Sequence, residues 1–414
     1  MNLAWVSLAA LVVAVTLSCV TTINVGLLSL AFAMVIGVYL GGMTLGAVIA
    51  GFPVSLFLTL VSVTLLFSIA ESNGTLRRLT ARAVRLCRGH AGLLPVMFFL
   101  LGFVIATIGA GATPASALLA GPAMAVAQRA GVPFLLMTLM TGNGALAGTL
   151  SPFAPTGIVA QGIMTRIGLG GVAWQTFAFN ALAHTTVGVG GFLLFGGWKL
   201  FGARGTVAAA EAPIERMEHR HWLTAAGIVT LIVAVAGFRQ DVGVVALLVA
   251  VSLVLLRAVD ESAAIKAMPW GVILMVTGVT VLIAILEKTE GLGLITHGIA
   301  QVSTPHTVTA VVAFGTGLVS VYSSTSGVVL PAFLPMAPEL ARHLGVTPLS
   351  IAWAMNVSAS LVDLSSLSTV GALYLAAIPP GADSRRLFNQ LLAWGLSMTL
   401  VGALLCWALF GIRG

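Results

Sequence analysis

The stretches PVSLFLTLVSVTLLFSIAE (53–71) and PWGVILMVTGVTVLIAILE (269–287) both begin on Pro and end on Glu. A shift of 216 residues pairs Pro53 with Pro269, Leu58 with Leu274, Val63-Thr64 with Val279-Thr280, Leu66 with Leu282, Ile69 with Ile285 and Glu71 with Glu287. Apolar coincidences come cheaply in an apolar chain, but the terminal Pro and Glu do not. A shift of 214 then pairs Gly131-Val132 with Gly345-Val346, Ser151 with Ser365 and Gly157 with Gly371, so the register drifts by only two residues. Weak internal symmetry of this kind marks the repeats of membrane transporters.

Composition sets the class around those stretches. Of 414 residues 59% are hydrophobic and 7% are charged, against roughly 25% charged in a soluble domain. A water-soluble enzyme is excluded. A hydrocarbon core about 30 Å thick takes roughly 20 apolar helical residues per crossing, so the length supplies about ten crossings. Apolar runs lie at 3–22, 24–41, 46–70, 93–109, 132–166 and 172–200, and again at 222–238, 241–258, 268–287, 307–322, 346–380 and 386–412. The polar stretch 203–221 between the two sets is the linker. Cys19, Cys87 and Cys406 are far apart with no CxxC or His pairing, which suggests neither a disulfide framework nor a metal cluster. The first 22 residues lack a basic n-region and a small-residue cleavage site, so they read as a first crossing rather than a removable signal. The net charge of +7 implies no nucleic acid, because in such a chain Lys and Arg report orientation.

The charges make the two copies inverted. Residues 71–92 hold five arginines (77, 78, 82, 85 and 88), while the counterpart 287–306 holds one lysine and two glutamates. The first segment is therefore expected inside and the second outside. Arg78, Arg82 and Arg85 fall near one helical stripe, which suits a helix in the interface with arginine heads among lipid phosphates. With external termini, five crossings per half, and hairpins re-entering at 93–130 from inside and 307–343 from outside, fourteen of the nineteen basic residues fall inside, including those of the linker. Full crossings at 93–109 and 307–322 would reverse the linker and spoil that bias. The expected architecture is an all-α polytopic membrane protein of two inverted repeats, 1–202 and 222–414. Each has about five crossings, one re-entrant hairpin and one broken helix, at 132–166 and 346–380.

Four stretches rich in Gly, Pro, Ser and Asn break the apolar helices: GAGATPAS (109–116), TGNGALAGTLSPFAPTG (141–157), YSSTSG (322–327) and SASLVDLSSLSTVG (358–371). Unpaired backbone in hydrocarbon costs several kcal/mol, so such breaks belong where they line a polar cavity. Half-helix N-termini favour anions, and unwound carbonyls with Ser and Thr hydroxyls replace the water shell of Na⁺. No Lys or Arg falls in the four breaks, so an anion held there needs accompanying cations. The second half is richer in hydroxyls, with Ser323, Ser324, Thr325, Ser326, Ser358, Ser360, Ser365, Ser366, Ser368 and Thr369, against Thr113, Ser116, Thr141, Thr149, Ser151 and Thr156 in the first. Asp363 is the one acid placed near the membrane centre, where a carboxylate serves a cation site, proton coupling or a helix cap. Asn143 is a candidate contact, and Asn356 and His184 are read chiefly as a helix cap and a hydrogen-bonded packing residue.

The segment AGFPVSLFLTLVSVTLLFSIAESNGT (50–75), preceded by INVGLLSLAFAMVIGVYLGG (23–42), resembles the N-terminal region of MatC-type malonate and C4-dicarboxylate carriers. The whole layout resembles the ion-transporter superfamily that includes the divalent anion/sodium symporters. In those symporters a Ser-Asn-Thr tip closes each hairpin and pairs with a second motif in a broken helix, together binding a dicarboxylate flanked by Na⁺. The resemblance implies a first tip at Gly111, Ala112 and Thr113 paired with Asn143, Gly144, Ser151 and Thr156. The second would be Ser324, Thr325 and Ser326 paired with Ser365, Ser366, Ser368 and Thr369. None of these places keeps the Ser-Asn-Thr string. Substrate contacts are accordingly expected from Thr113, Asn143, Thr156, Ser324, Thr325, Ser326, Ser368 and Thr369. Na⁺ contacts are expected from Gly111, Ser151, Ser323, Ser360, Asp363, Ser365 and Ser366. No cofactor beyond the coupling ion is expected. The resemblance further implies a homodimer in the cell's inner (plasma) membrane whose hairpin-bearing part moves against a fixed scaffold. Competing readings are proton coupling through Asp363 or His184, a passive anion channel, and a membrane enzyme. The channel would need a continuous polar lining, and the enzyme a nucleophile with a base in reach.

Overall fold

The structure, a computed structural model, describes residues 2–21, 23–86, 88–202, 206–208, 215–379 and 381–411. Among them six helices of 18 or more residues are apolar enough to cross a membrane, and six shorter apolar helices accompany them. Linker residues 203–205 and 209–214, Cys87 and Arg413 lie outside the described residues.

The first half opens with helices Leu3–Val20, Val25–Met34 (continued to Leu40) and Val54–Ser72. The run expected as 46–70 is split, because Pro53 has no N–H to continue a helix. A short helix Leu45–Ile49 precedes it, and the long helix starts at Val54. Pro269 does the same for Trp270–Lys288, after the short helix Glu261–Ala267. The two long Pro-initiated helices pack against each other. Helix Val25–Met34 lies so close to Trp270–Lys288 that a Cβ on Gly26 would strike the Leu274 carbonyl, and one on Gly278 the Gly26 backbone. Small residues permit this approach, which is how helices gain packing contacts in lipid.

After Val54–Ser72 the chain forms the basic helix Thr75–Leu86. Arg77 and Arg78 both pair with Glu215 of the linker, the former at 3.0 Å. Strand Arg88–His90 also pairs antiparallel with Thr206–Ala208. The linker is thus fastened to the basic segment. It is also shorter than expected, since helix His219–Ile232 begins three residues before the apolar run. The Glu218 N–H donates to His221 Nδ1 (2.8 Å), and His221 Nε2 lies 3.0 Å from the Asn73 carbonyl.

The hairpin elements are Leu94–Ala110 turning back into Ala112–Ala130, and Val308–Tyr322 followed by a helical arm from Thr325 to Leu344. The first turn needs Gly109 (φ 124°) and Gly111 (φ 79°), angles open to glycine at little cost. The broken helices are Phe134–Ala147 with Pro155–Arg166, and Pro348–Leu361 with Thr369–Ala376. Their interruptions are narrower than the sequence suggested: Thr141 to Ala147 and Ser358 to Leu361 remain helical. The glycines at 142 and 144 serve close packing rather than unwinding. A Cβ on Gly144 would meet the Phe99 carbonyl, and one on Gly142 the Leu364 side chain. Helices Ala173–Leu194 and Ser384–Cys406 flank the two broken helices.

Candidate functional site

Four helical N-termini meet at one chamber. Ala112 and Pro155 begin the two first-half segments, and Thr325 and Thr369 the two second-half segments. The two second-half starts are capped by serines: Ser324 Oγ accepts from the Gly327 N–H and Ser368 Oγ from the Gly371 N–H, both at 3.1 Å. Such caps hold one orphan amide each and leave the rest of the first turn to a ligand. The chamber has a volume of about 470 Å³ and is lined from all four breaks by Ala112, Thr113, Thr149, Thr156, Ser323 to Ser326, Asp363 and Leu367 to Val370. Thr21, Asn24 and Met275 close its remaining wall. Its described lining contains no Lys, Arg or His.

Of the residues expected to hold substrate, Thr113, Thr156, Ser324, Thr325, Ser326, Ser368 and Thr369 line this chamber. Asn143 does not. It is fully buried, donates to the Leu139 carbonyl (2.9 Å), and its Oδ1 lies 3.0 Å from His184 Nδ1. On the far side of the ring His184 Nε2 lies 3.2 Å from Ser360 Oγ, which donates to Asn180 Oδ1 at 2.6 Å. Asn180 in turn donates to the carbonyls of Leu146 and Ala147, at the end of the first half-helix. His184 is thus a buried tie between the two broken helices.

Of the residues expected at Na⁺, Asp363 and Ser323 line the chamber. Asp363 Oδ1 accepts from Thr325 at 2.6 Å, and Ser320 Oγ lies 2.5 Å from the same Thr325 hydroxyl, which is also 3.2 Å from the Ala359 carbonyl. Beside them Ser323 Oγ is buried with no hydrogen-bond partner among the described residues. This donor set of a carboxylate, hydroxyls and a carbonyl suits a hard monovalent cation, and an unpaired carboxylate at such depth is costly without one. Gly111 lies on a second cavity described below. Ser151 is committed to the Thr107 carbonyl at 2.7 Å, Ser360 to the His184 tie, and Ser365 Oγ accepts from the Leu367 N–H at 3.3 Å. Ser366 Oγ is buried without a partner and, like those three, does not line the chamber. Asn356 donates to the Ala352 carbonyl within its own helix.

Sequence reasoning missed Asn24, which caps helix Val25–Met34, donates to the Gly271 carbonyl at 2.8 Å and faces the chamber. Its polar setting, TTIN at 21–24, was the available signal.

Residues 1–149 match the family described as dicarboxylate carrier protein MatC N-terminus. This MatC-like region contributes Asn24, Ala112, Thr113 and Thr149 to the chamber. The fold is similar to the YdaH transporter of Alcanivorax borkumensis, with a TM-score of 0.61, 19% identity, and 91% of this chain and 89% of that chain covered. No curated protein matches the chain. At that identity the structural likeness speaks for the fold alone, an all-helical multi-span transporter architecture. The dicarboxylate-carrier family enters through the MatC-like region.

Proposed function

We propose that the protein is a secondary carrier moving a small dicarboxylate of the malonate/C4 class together with Na⁺, by elevator-type alternating access between inverted repeats. The observation that carries this reading is the convergence of four helical N-termini on a chamber that has unpaired hydroxyls and no basic side chain. Thr113, Thr156, Ser326 and Thr369 make no side-chain hydrogen bond among the described residues, which leaves their donors for carboxylate oxygens. Positive dipole ends favour the anion, and a Na⁺ held by the Asp363–Thr325–Ser323 group neutralises the carboxylate that would otherwise repel it. Chamber and substrate also agree in size, since about 470 Å³ admits a small organic acid with its ions. In this reading the hairpins and broken helices move in a homodimer whose remaining helices form the fixed scaffold. The termini are external and the linker cytoplasmic.

Uptake of labelled malonate and succinate into proteoliposomes tests it, with external Na⁺ replaced by choline at fixed pH. Saturable uptake that falls with Na⁺ removal is expected. Uptake unchanged by the replacement overturns Na⁺ coupling, and flux that does not saturate overturns the carrier in favour of a pore. Proton coupling is the second reading, favoured by the hydrogen-bonded Asp363 carboxylate; its mark is uptake that follows a pH gradient without Na⁺.

A further inference from the structure

Beside the chamber lies a second cavity of about 320 Å³, and the two share Thr113, Thr156, Ser324, Ser326 and Thr369 as a common wall. The far wall of this second cavity is one face of helix Val54–Ser72, with Thr64, Phe67, Ser68 and Glu71 at helical spacing. Seven residues separate Thr64 from Glu71, about 10 Å along the axis. Glu71 is the one charged group in the described lining, and no cation pairs with it among the described residues. Ser68 Oγ likewise makes no hydrogen bond there, while Thr64 donates to Leu60 and keeps its lone pairs for a ligand. A cavity whose mouth carries a single exposed negative charge concentrates cations and repels a dianion.

We infer that Glu71, with Ser68 and Thr64, forms an outer site for small monovalent cations, through which the coupling ion reaches the shared wall by a route separate from the substrate's. The inference rests on the Na⁺-coupled reading above and adds to it a residue and a path. Glu71 is exposed and at a helix end, so its substitution leaves the packing intact, whereas Ser68 packs inside the helix face.

The test is equilibrium ²²Na⁺ binding to purified protein in detergent, where both faces are accessible. Glu71→Gln is expected to raise the half-saturating Na⁺ concentration about ten-fold, the lower end of the focusing effect of a charged cleft. Glu71→Asp, which keeps the charge, should recover most of that loss, and Ser68→Ala should give a smaller rise. Unchanged half-saturation in Glu71→Gln, with saturable binding in the parent protein, overturns this inference alone. Absence of saturable Na⁺ binding in the parent protein overturns it together with the coupling reading.

Discussion

Two faces that match in sequence differ in what they enclose. Thr64, Phe67 and Glu71 line an open cavity of about 320 Å³, whereas their counterparts Thr280, Ile283 and Glu287 border a void of about 10 Å³. At the second face Ile163, Pro331 and Pro335 fill the space, and Arg166 pairs with Glu287 at 3.4 Å. Outside that plug lies a broad depression bounded by Glu287, Glu290, Glu339 and Arg342. Helix Pro155–Arg166 joins the two regions, because Thr156 near its start borders the chamber and Ile163 and Arg166 near its end form the plug. In the proposed alternating-access reading, a matched pair of faces, one open and one shut, is what a single state requires.

That contrast can be broken most sharply by thiol labelling in a background lacking the native cysteines. Ser68→Cys is expected to react with a water-soluble maleimide about 100-fold faster than Thr280→Cys: both side chains are buried, but Ser68 borders a cavity of about 320 Å³ and Thr280 a void of about 10 Å³ that admits the reagent only after local opening. Equal rates would erase the distinction between the faces. The next effect in size concerns the tie that sets both broken helices relative to the faces. His184→Ala leaves Asn143 Oδ1 without its buried partner and takes one of several from Ser360, which costs about 1–3 kcal/mol. A lowered thermal midpoint with disproportionate loss of uptake is expected, and His184→Gln should recover part of both. An unmoved midpoint would make the tie incidental.

Asp363→Asn keeps the shape of the chamber's proposed cation site and removes its charge. Half-saturating Na⁺ is expected to rise about ten-fold, the effect of a charge-assisted contact of about 1.5 kcal/mol; an unaltered ion profile would return Asp363 to a purely structural role beside Thr325. The smallest effect belongs to the plug. Arg166→Gln removes a half-exposed ion pair of about 0.3–1 kcal/mol, so labelling at Thr280→Cys should rise about two- to five-fold. The exchange Arg166→Glu with Glu287→Arg should reverse that rise. A rise that persists in the exchanged pair would attribute the plug to packing alone.

The outline of this fold was legible because long apolar runs bounded by Pro, Asn and Gly leave little choice of secondary structure. All twelve runs became helices or helix pairs, and the four breaks fell within the expected stretches. What the sequence left open was the use of a given residue type. Gly109 and Gly111 make a turn, but Gly142 and Gly144 admit a neighbouring backbone, and only the position of Phe99 and Leu364 separates the two uses. Asn143 looked like a ligand because it sits among glycines. Its helix continues through that segment, and the side chain is taken by Leu139 and by His184, 41 residues away. Glu71 and Glu287 occupy the same place in the pattern, and the difference between them depends on Arg166, which has no basic counterpart at the matching position of the second half.

In the proposed function, the one chamber formed by all four breaks holds an organic dianion only with its cation. Leu367 lines that chamber with its side chain exposed and apolar, outside the polar contacts. The direct measurement is the maleimide labelling rate of Leu367→Cys in purified protein with malonate or succinate, in Na⁺ and in choline. Slowing by dicarboxylate in Na⁺ but not in choline is the expected result. A rate indifferent to both dicarboxylate and cation would contradict the account.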